Sequence, residues 1–183
     1  MTAKTLSSEY INQHPYFTAR RVSYMLEDGK KVDPYFVVDL PPCVLAMAIT
    51  AEGEVLLVRQ YRYPVNESLI ELPGGFIDEG EDKEKAIGRE LLEETGYHFE
   101  SFHYLGAAAA NPGVLNNFTH FFIALQGKKI KEQELDPNEQ IEILLKPLDE
   151  VKELLLNFQI KQSLHALCLF YGFDYIEKKK LLG

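Results

Sequence analysis

Three glutamates, Glu90, Glu93 and Glu94, lie close together in the stretch GRELLEETG at residues 88–96. Their spacing of three and four residues would place them on one side of a helix, where like charges repel. Gly96 is typical of a helix end, so the carboxylates would also lie at the C-terminus, which already carries partial negative charge. A divalent cation reverses this repulsion, because Mg²⁺ and Mn²⁺ prefer hard oxygen ligands. The pattern therefore predicts a metal-binding helix end.

The sequence indicates that such a metal would serve phosphate or diphosphate chemistry. Mg²⁺ usually takes one or two carboxylates and fills its other positions with water and substrate phosphate oxygens. No His and Cys residues have the spacing of a zinc site. Arg89 precedes Glu93 by four residues and can pair with it, which would fix the orientation of that carboxylate. The ordinary alternative is a solvated acidic helix without a ligand.

The elements that must position this helix predict an α+β fold. Aromatic and β-branched residues predict a hairpin over about residues 19–40, and two further strands flank the turn AEG. The helix should begin after Asp82, a good N-cap, and end at Thr95. Strands are predicted in SLIEL, HFESFHYLGAAAA, FTHFFIALQGKKI and QIEILLKPL, and two amphipathic helices in LDEVKELLLN and KQSLHALCLFYG. Such an order indicates a mixed sheet with helices packed outside it.

Composition and charge limit the possible classes. A chain of 183 residues, 46% hydrophobic and 26% charged, suits one globular domain. Its formal charge of −9 argues against a nucleic-acid partner. The polar N-terminus and the lack of an apolar run of about 20 residues predict no membrane association and a cytoplasmic location. Cys43 and Cys168 lie in apolar stretches and are expected to be reduced core residues, although a disulfide stays open.

The region from Gly75 to Tyr97 resembles the signature of the Nudix hydrolases. That signature reads Gly, five residues, Glu, seven residues, Arg-Glu, an aliphatic residue, any residue, Glu-Glu, any residue, Gly and an aliphatic residue. In this chain its fixed positions are occupied by Gly75, Glu81, Arg89, Glu90, Leu91, Glu93, Glu94 and Gly96. Only the last position departs from the signature, because Tyr97 stands where an aliphatic residue is usual. This change should affect packing more than chemistry.

The resemblance implies a Nudix-type α/β/α sandwich with a mixed central sheet and an N-terminal antiparallel sheet region. Residues 1–42 would form that region, which in the same domain would serve dimerisation and the nucleoside pocket, and residues 43–183 would form the hydrolase domain. The implied metal ligands are Glu90 and Glu94, with Glu93 in or near the same shell and the Gly74 carbonyl as a further ligand. Mg²⁺ ions, with Mn²⁺ as a substitute, would position a diphosphate and activate a water.

Two positions of the signature have supporting roles by the same resemblance. Arg89 would orient the glutamates. Glu81 would cap or support the loop and the helix, with a direct metal contact less expected.

Residues outside the signature resemble the ADP-ribose and nucleotide-sugar pyrophosphatases. Arg62 in VRQYR would reach a substrate phosphate, and Glu71 in ELPGG would contact metal or substrate, or hold the loop. Pro112, 15 residues after Tyr97, marks the ADP-ribose subgroup, although its loop NPGVLNN departs from the usual SPG type. The alternatives without a substrate role are that Arg62 is an ordinary exposed arginine on a strand and that the loop NPGVLNN is an ordinary hairpin turn.

The catalytic base stays open among several carboxylates. Glu139, before the strand QIEILL, best matches a loop glutamate that completes metal binding or serves as the base in this group. Glu142 is the nearest substitute, and a glutamate of the signature is the third option. Among the N-terminal aromatic residues, Tyr35 is the one we select for stacking on a base, with Tyr16, Phe17 and Phe36 as further candidates or as core.

The leading hypothesis is Mg²⁺-dependent hydrolysis of the diphosphate linkage of ADP-ribose or another nucleoside diphosphate sugar. The products would be a nucleoside monophosphate and a sugar phosphate, and the enzyme would be a homodimer without a nucleic-acid or membrane partner. Two alternatives stay open: a Nudix hydrolase of nucleoside triphosphates or dinucleoside polyphosphates, and a noncatalytic nucleotide-sugar-binding module.

Overall fold

The computed structural model describes residues 2–14 and 17–179 of the chain. The chain divides into two compact units. The first comprises Met1–Pro42 together with Ala109–Phe118, and the second comprises Cys43–Ala108 together with Thr119–Gly183. None of the helices in the described ranges is long and apolar enough to cross a membrane.

The first unit contains an antiparallel sheet in the order β1-β2-β3, with β1 at Ala3–His14, β2 at Phe17–Leu26 and β3 at Lys31–Asp39. The predicted hairpin corresponds to β2 and β3 and is confirmed. The strand β1 was not predicted. Every residue of β1 is exposed, so no apolar alternation marks it, and it is a strand because its backbone pairs with β2 along its length.

The insertion at residues 109–118 belongs to the first unit through contacts with β3. The Val38 amide donates to the Val114 carbonyl at 2.8 Å, and the Asn116 side chain donates to Asp39 at 2.7 Å. The same carboxylate accepts two hydrogen bonds from Arg20 on β2, at 2.5 and 2.7 Å. The predicted turn NPGVLNN is therefore tied to β3 by backbone and side-chain hydrogen bonds.

The second unit contains a mixed seven-stranded sheet in the order β10-β5-β4-β9-β7, with β6 beside β5 and β8 beside β9. β4 and β9 run parallel, and the other pairs are antiparallel. The strands are β4 Cys43–Thr50, β5 Glu54–Arg62, β6 Glu67–Glu71, β7 Tyr97–His98, β8 Ser101–Ala108, β9 Thr119–Lys129 and β10 Ile141–Pro147. The helices are α1 Lys83–Thr95, α2 Leu148–Leu156 and α3 Ser163–Lys179, and a 3₁₀ turn spans Tyr63–Val65.

The helices cover both faces of this sheet, which confirms the α+β class and the α/β/α layering. On one face α1 packs against Val44, Ala46, Leu56 and Val58. On the other face α2 and α3 pack against a second set of alternating strand residues: Leu45, Met47, Val55 and Leu57. Because side chains alternate along a strand, the even-numbered residues of β5 face α1.

Two boundaries differ from the sequence predictions. The strand predicted over HFESFHYLGAAAA is interrupted at residues 99–100, because Phe99 turns into the core and packs where Gly127 has no side chain. The helix predicted to end at Gly172 continues to Lys179. Gly172 is buried inside α3, and a Cβ there would overlap the side chain of Met47. This glycine permits close packing and does not end the helix.

Neither cysteine forms a disulfide, as expected. Cys168 lies on the buried face of α3, where burial raises the pKa of its thiol to about 12. Cys43 is only half-buried, so its assignment as a core residue holds in part.

Candidate active site

The segment from Leu72 to Gly75 carries the chain from β6 towards α1 and has almost no room for side chains at its glycines. Gly74 has a φ of +147°, and a Cβ there would overlap the Val44 carbonyl oxygen. A Cβ on Gly75 would lie 2.6 Å from the carboxyl atoms of Glu90. The start of β4 holds the segment, because the Val44 amide donates to the Gly75 carbonyl at 2.9 Å. Both glycines are therefore required by close contacts.

The helix α1 has the predicted ends. The Asp82 carboxylate accepts hydrogen bonds from the backbone amides of Glu84 and Lys85, and Gly96 adopts a left-handed conformation with φ 75°. At the C-terminus, the Glu134 amide donates to the Glu93 carbonyl at 2.8 Å.

Backbone amides of Ile130 and Lys131 donate to the Gly96 carbonyl at 2.9 and 3.3 Å. The Gln133 side chain donates to the carbonyls of Glu94 and Ile141 at 2.6 and 3.1 Å. Donors from residues 130–134 thus satisfy carbonyls that a helix end leaves unpaired.

Arg89 joins three carboxylates and a carbonyl. It donates two hydrogen bonds of 3.0 Å to Glu81, one of 2.9 Å to Glu90 and one of 3.1 Å to Glu93. Its remaining Nη2 hydrogen donates to the Phe76 carbonyl at 3.1 Å. The hydrogen bonds to Glu81 are the main cause that raises the pKa of Arg89, and they also lower the pKa of Glu81. All N–H groups of this guanidinium are therefore engaged in orienting the helix face and the loop before it.

Glu94 is the most enclosed carboxylate of α1, with 6% of its surface exposed. It accepts a hydrogen bond of 2.9 Å from the Gly74 amide and one of 3.4 Å from the Gln60 side chain. Desolvation by burial is the largest cause that raises the pKa of Glu94 to about 8, and the nearby charge of Glu90 raises it further. The hydrogen bond from the Gly74 amide lowers this pKa but offsets only part of the two effects. Burial also raises the pKa of Glu90, although Arg89 opposes the effect. This face of α1 holds more negative charge than its arginine compensates.

The donor set suits a hard divalent cation, but the carboxylates do not converge in this structure. Within the described ranges, no three His, Cys, Asp or Glu side chains form a group that could hold a metal ion. The reason is visible in the hydrogen bonds: Glu90 and Glu93 turn towards Arg89, while Glu94 turns towards the Gly74 amide. Glu90, Glu93 and Glu94 could supply oxygen ligands to a cation, and desolvation by burial raises the pKa of Glu94 more than its two neutral hydrogen-bond donors lower it.

Arg62 and Glu71 form a second ion pair on the α1 side of the sheet. Glu71 is 1% exposed and accepts from Arg62 at 3.1 and 3.2 Å through Nε and at 2.5 Å through Nη2. The Arg62 side chain remains 45% exposed, and its hydrogen bonds to Glu71 use Nε and Nη2. The pKa of Arg62 is raised first by Glu71 and further by the charges of Glu94 and Glu139. Glu71 thus directly contacts Arg62, which keeps one edge of its guanidinium exposed.

The structure separates the two candidates for a loop base. Glu139 is exposed, its carboxylate accepts from the Asp136 amide at 3.2 Å, and its charge raises the pKa of Glu90 and of Glu94. Glu142 pairs with Arg59 at 2.8 Å on the surface of the sheet.

The remaining predicted substrate residues belong to the first unit. The Tyr35 hydroxyl donates to the Gly113 carbonyl at 2.6 Å, and its ring meets Tyr24 edge-on with centroids 5.5 Å apart. Pro112 is exposed in the adjoining turn. Phe17 and Phe36 are each about half exposed, at 51% and 52%. Tyr16 lies outside the described residues.

Three side chains that form hydrogen bonds in or beside this site were missed from the sequence: Gln60, Gln133 and His165. Gln60 could have been found, because it lies two residues before Arg62 on the same face of β5. Gln133 lies in an acidic loop without a motif. His165, in the first turn of α3, accepts a hydrogen bond of 2.8 Å from the Leu72 amide, 93 residues away in sequence. No local pattern indicates such a contact.

Comparisons with known proteins agree with this geometry. Residues 39–167 match the family model described as NUDIX domain. The chain is 28% identical over 184 residues to a Bacillus subtilis (strain 168) protein named ADP-ribose pyrophosphatase, covering 98% of this chain and 97% of that protein. It is 31% identical over 173 residues to a Bacillus methanolicus protein named methanol dehydrogenase activator, covering 92% and 91%.

A solved structure described as an ADP compounds hydrolase has the same fold, with a TM-score of 0.85, 20% identity and coverage of 98% and 96%. The family match spans more than half of the chain and includes β4 to β10, α1 and α2. This chain therefore belongs to the NUDIX domain family.

Proposed function

We propose that this protein hydrolyses the diphosphate linkage of ADP-ribose or another nucleoside diphosphate sugar to a nucleoside monophosphate and a sugar phosphate. The observation that carries the proposal is the intact set of charged residues on α1, with Glu90 and Glu93 oriented by Arg89 and Glu94 buried against Gly74. A binding module without catalysis would have no need to keep a buried, uncompensated carboxylate. The name of the Bacillus subtilis relative, similar over nearly its whole length, supports the same substrate class.

A divalent cation is the proposed cofactor, with Mg²⁺ first and Mn²⁺ as a substitute. Glu90 and Glu94 would be its principal ligands, with Glu93 and the Gly74 carbonyl completing the protein's share. When bound, such an ion neutralises diphosphate charge and makes a water more acidic. Three features of these residues suit a divalent cation. All the candidate ligands are oxygen atoms, and burial raises the pKa of Glu94. The Glu90 carboxyl occupies the space beside Gly75 that a side chain at position 75 would fill.

The protein's own residues supply orientation, phosphate binding and proton transfer. Arg89 holds Glu90 and Glu93 in fixed positions. The exposed edge of Arg62 donates to a substrate phosphate, while Glu71 fixes the other edge. Glu139 accepts a proton from the attacking water, because it is exposed, lies on a loop and acts electrostatically on both Glu90 and Glu94.

The first unit supports a further part of the proposal, a homodimer in which residues 1–42 serve assembly and the nucleoside pocket. β1 is an edge strand whose residues are all exposed, including Leu6, Tyr10 and Ile11. Exposed edge strands with apolar side chains are surfaces that pair with another chain. Tyr35 and Pro112 are the proposed contacts to the nucleoside. Light scattering should give twice the chain mass of 20.9 kDa, and a monomer at micromolar concentration would contradict this part.

A cytoplasmic location is part of the proposal and is supported by the two cysteines, neither of which forms a disulfide. Cell fractionation tests it independently of the activity.

The deciding experiment is phosphate release after coupled phosphatase treatment, across a panel of ADP-ribose, other nucleoside diphosphate sugars, nucleoside triphosphates and dinucleoside polyphosphates. ADP-ribose or another sugar nucleotide should be the best substrate, and EDTA should abolish turnover. Glu94→Gln should lose most turnover, while Glu84→Gln, an exposed position on the same helix, should not. Triphosphates as much the best substrates would refute the substrate class, and tight binding without any hydrolysis would favour a noncatalytic module.

A further inference from the structure

The imidazole of His165 contacts the segment that presents Gly74 to Glu94, and it does so from the opposite side of the sheet. His165 lies in the first turn of α3, which packs on the face away from α1. Its Nδ1 accepts a hydrogen bond of 2.8 Å from the backbone amide of Leu72. An N–H donor facing Nδ1 requires that this nitrogen carry no proton, so the neutral ring is protonated on Nε2.

The Leu72 amide is the last backbone donor before Gly74, and the next residue is held through its carbonyl, because Pro73 accepts a hydrogen bond of 3.2 Å from the Ala46 amide. Glu71 ends β6, and the backbone then passes through Leu72 and Pro73 to the Gly74 amide that donates to Glu94 at 2.9 Å. Proline has no amide to donate, so Leu72 is the residue before Gly74 whose N–H can anchor this turn. The His165 bond is therefore two residues away from the contact that orients Glu94.

The surroundings of His165 make this contact rigid. The ring is 5% exposed, and the Leu72 side chain is 2% exposed in the core beneath α3. The start of α3 is itself held by Gln162, whose side chain accepts from the amides of Leu164 and His165 at 2.6 and 3.3 Å. A buried amide that lost its acceptor would have to find another or shift, because an unpaired buried N–H is costly.

We propose that His165 is a positioning residue of the active site, which fixes the Leu72 backbone from the far side of the sheet and thereby sets the Gly74–Glu94 contact. It touches neither substrate nor reacting atoms. The inference rests on the proposed function for its kinetic consequences, but its structural and metal-binding consequences do not depend on the substrate. A group that orients a metal ligand typically changes metal affinity or activity by about 10- to 100-fold.

The test uses substitutions that keep or remove the acceptor at the place of Nδ1. In His165→Asn the amide oxygen can occupy that place, whereas in His165→Gln the oxygen lies one bond further out and in His165→Leu it is absent. Cys168→Ala is the matched control: it lies one turn later on α3, is also fully buried and contacts Phe122 on β9 instead of the glycine segment.

Metal binding is measured first, by Mn²⁺ titration with electron paramagnetic resonance. We expect His165→Leu and His165→Gln to weaken Mn²⁺ binding about 10-fold and His165→Asn to restore it to within about threefold of the parent protein. Cys168→Ala should lower the melting temperature without changing the titration. If His165→Gln binds Mn²⁺ like His165→Asn, or if Cys168→Ala weakens binding as much as His165→Leu, the positioning role is overturned.

Amide hydrogen exchange and kinetics complete the test. Exchange at Leu72 and Gly74 should accelerate in His165→Gln and not in His165→Asn, and unchanged exchange in both would overturn the proposal. With ADP-ribose, kcat should fall about 10-fold in His165→Gln while KM changes less than threefold. If the parent protein hydrolyses no substrate, the proposed function fails, but the titration and the exchange data still decide the role of His165.

Discussion

Glu94→Gln should stabilise the metal-free protein and at the same time remove its response to metal. Burial raises the pKa of Glu94 to about 8 in the folded protein, against the ordinary value of 4.5. Between these two values the folded state binds more protons than the unfolded state, so the unfolding free energy falls as pH rises through this window. At pH 7 the loss of unfolding free energy is about 3 kcal/mol, because this pH lies about 2.5 units above the ordinary pKa of 4.5 and each unit costs about 1.4 kcal/mol.

A glutamine has no charge to desolvate, but it must be accommodated. Both the Gly74 amide and the Gln60 side chain donate to the carboxylate, and the new NH₂ group has no acceptor unless Gln60 turns its oxygen towards it. This rearrangement leaves an expected gain of about 1–3 kcal/mol at pH 7. For a chain of this size the gain corresponds to roughly 2–12 °C in melting temperature.

Thermal melting by circular dichroism measures the effect in EDTA and in Mg²⁺. In EDTA the variant should melt above the parent protein at pH 7, and the difference should shrink to below about 1 kcal/mol at pH 5, near the ordinary pKa. In Mg²⁺ at about 100 times its dissociation constant, the parent protein should gain about 2.7 kcal/mol and the variant little. The addition of Mg²⁺ should therefore bring the melting temperature of the parent protein up to or above that of Glu94→Gln.

The exposed residue Glu84 provides the control, because Glu84→Gln should change stability by only a few tenths of a kcal/mol at either pH. The reasoning is refuted if Glu94→Gln melts below the parent protein in EDTA at pH 7. It is also refuted if the difference between the two proteins is the same at pH 5 and pH 7.

Three further substitutions test other parts of the site. Burial lowers the pKa of His165 to about 4 from 6.5, so the parent protein should lose about 3 kcal/mol of unfolding free energy as pH falls through this window. Denaturant unfolding of His165→Leu should lack that loss, and equal losses would contradict the prediction. Arg89→Lys cannot donate to Glu81 and Glu90 in one fixed fork, so kcat should fall about 10- to 100-fold, and an unchanged kcat would contradict it. Gly75→Ala would displace the Glu90 carboxyl, so half-maximal activity should require more Mg²⁺; an unchanged requirement argues against that contact.

The helix with the acidic residues could be predicted because its signals are local. Asp82 caps its start, Gly96 ends it in the left-handed conformation, and Ile87 and Leu91 are fully buried. The pairing of Arg89 with Glu93 followed from a spacing of four residues, and the structure shows it at 3.1 Å. The roles of these residues in catalysis stay predictions.

Elements whose cause lies elsewhere in the fold were not predictable. β1 is a strand because β2 pairs with it, and its own exposed residues carry no alternation. The helix α3 continues through Gly172 because Met47 on β4 occupies the place of a side chain. The contacts of Gln133 and His165 span 39 and 93 residues of sequence. Hydrogen bonds of this kind depend on the assembled sheet, and a single sequence does not encode them in any short pattern.

The charges at the C-terminus of α1 are compensated unequally, and this inequality has a functional consequence. Donors from residues 130–134 satisfy the backbone carbonyls, which removes part of the unfavourable interaction of the carboxylates with the helix dipole. Arg89 takes up Glu90 and Glu93. Within the described residues, buried Glu94 accepts its hydrogen bonds from two neutral donors, the Gln60 side chain and the Gly74 amide. Burial raises the pKa of both Glu90 and Glu94, but Arg89 opposes the effect at Glu90, whereas at Glu94 only neutral donors oppose it. We therefore expect an external cation to release the most free energy at Glu94.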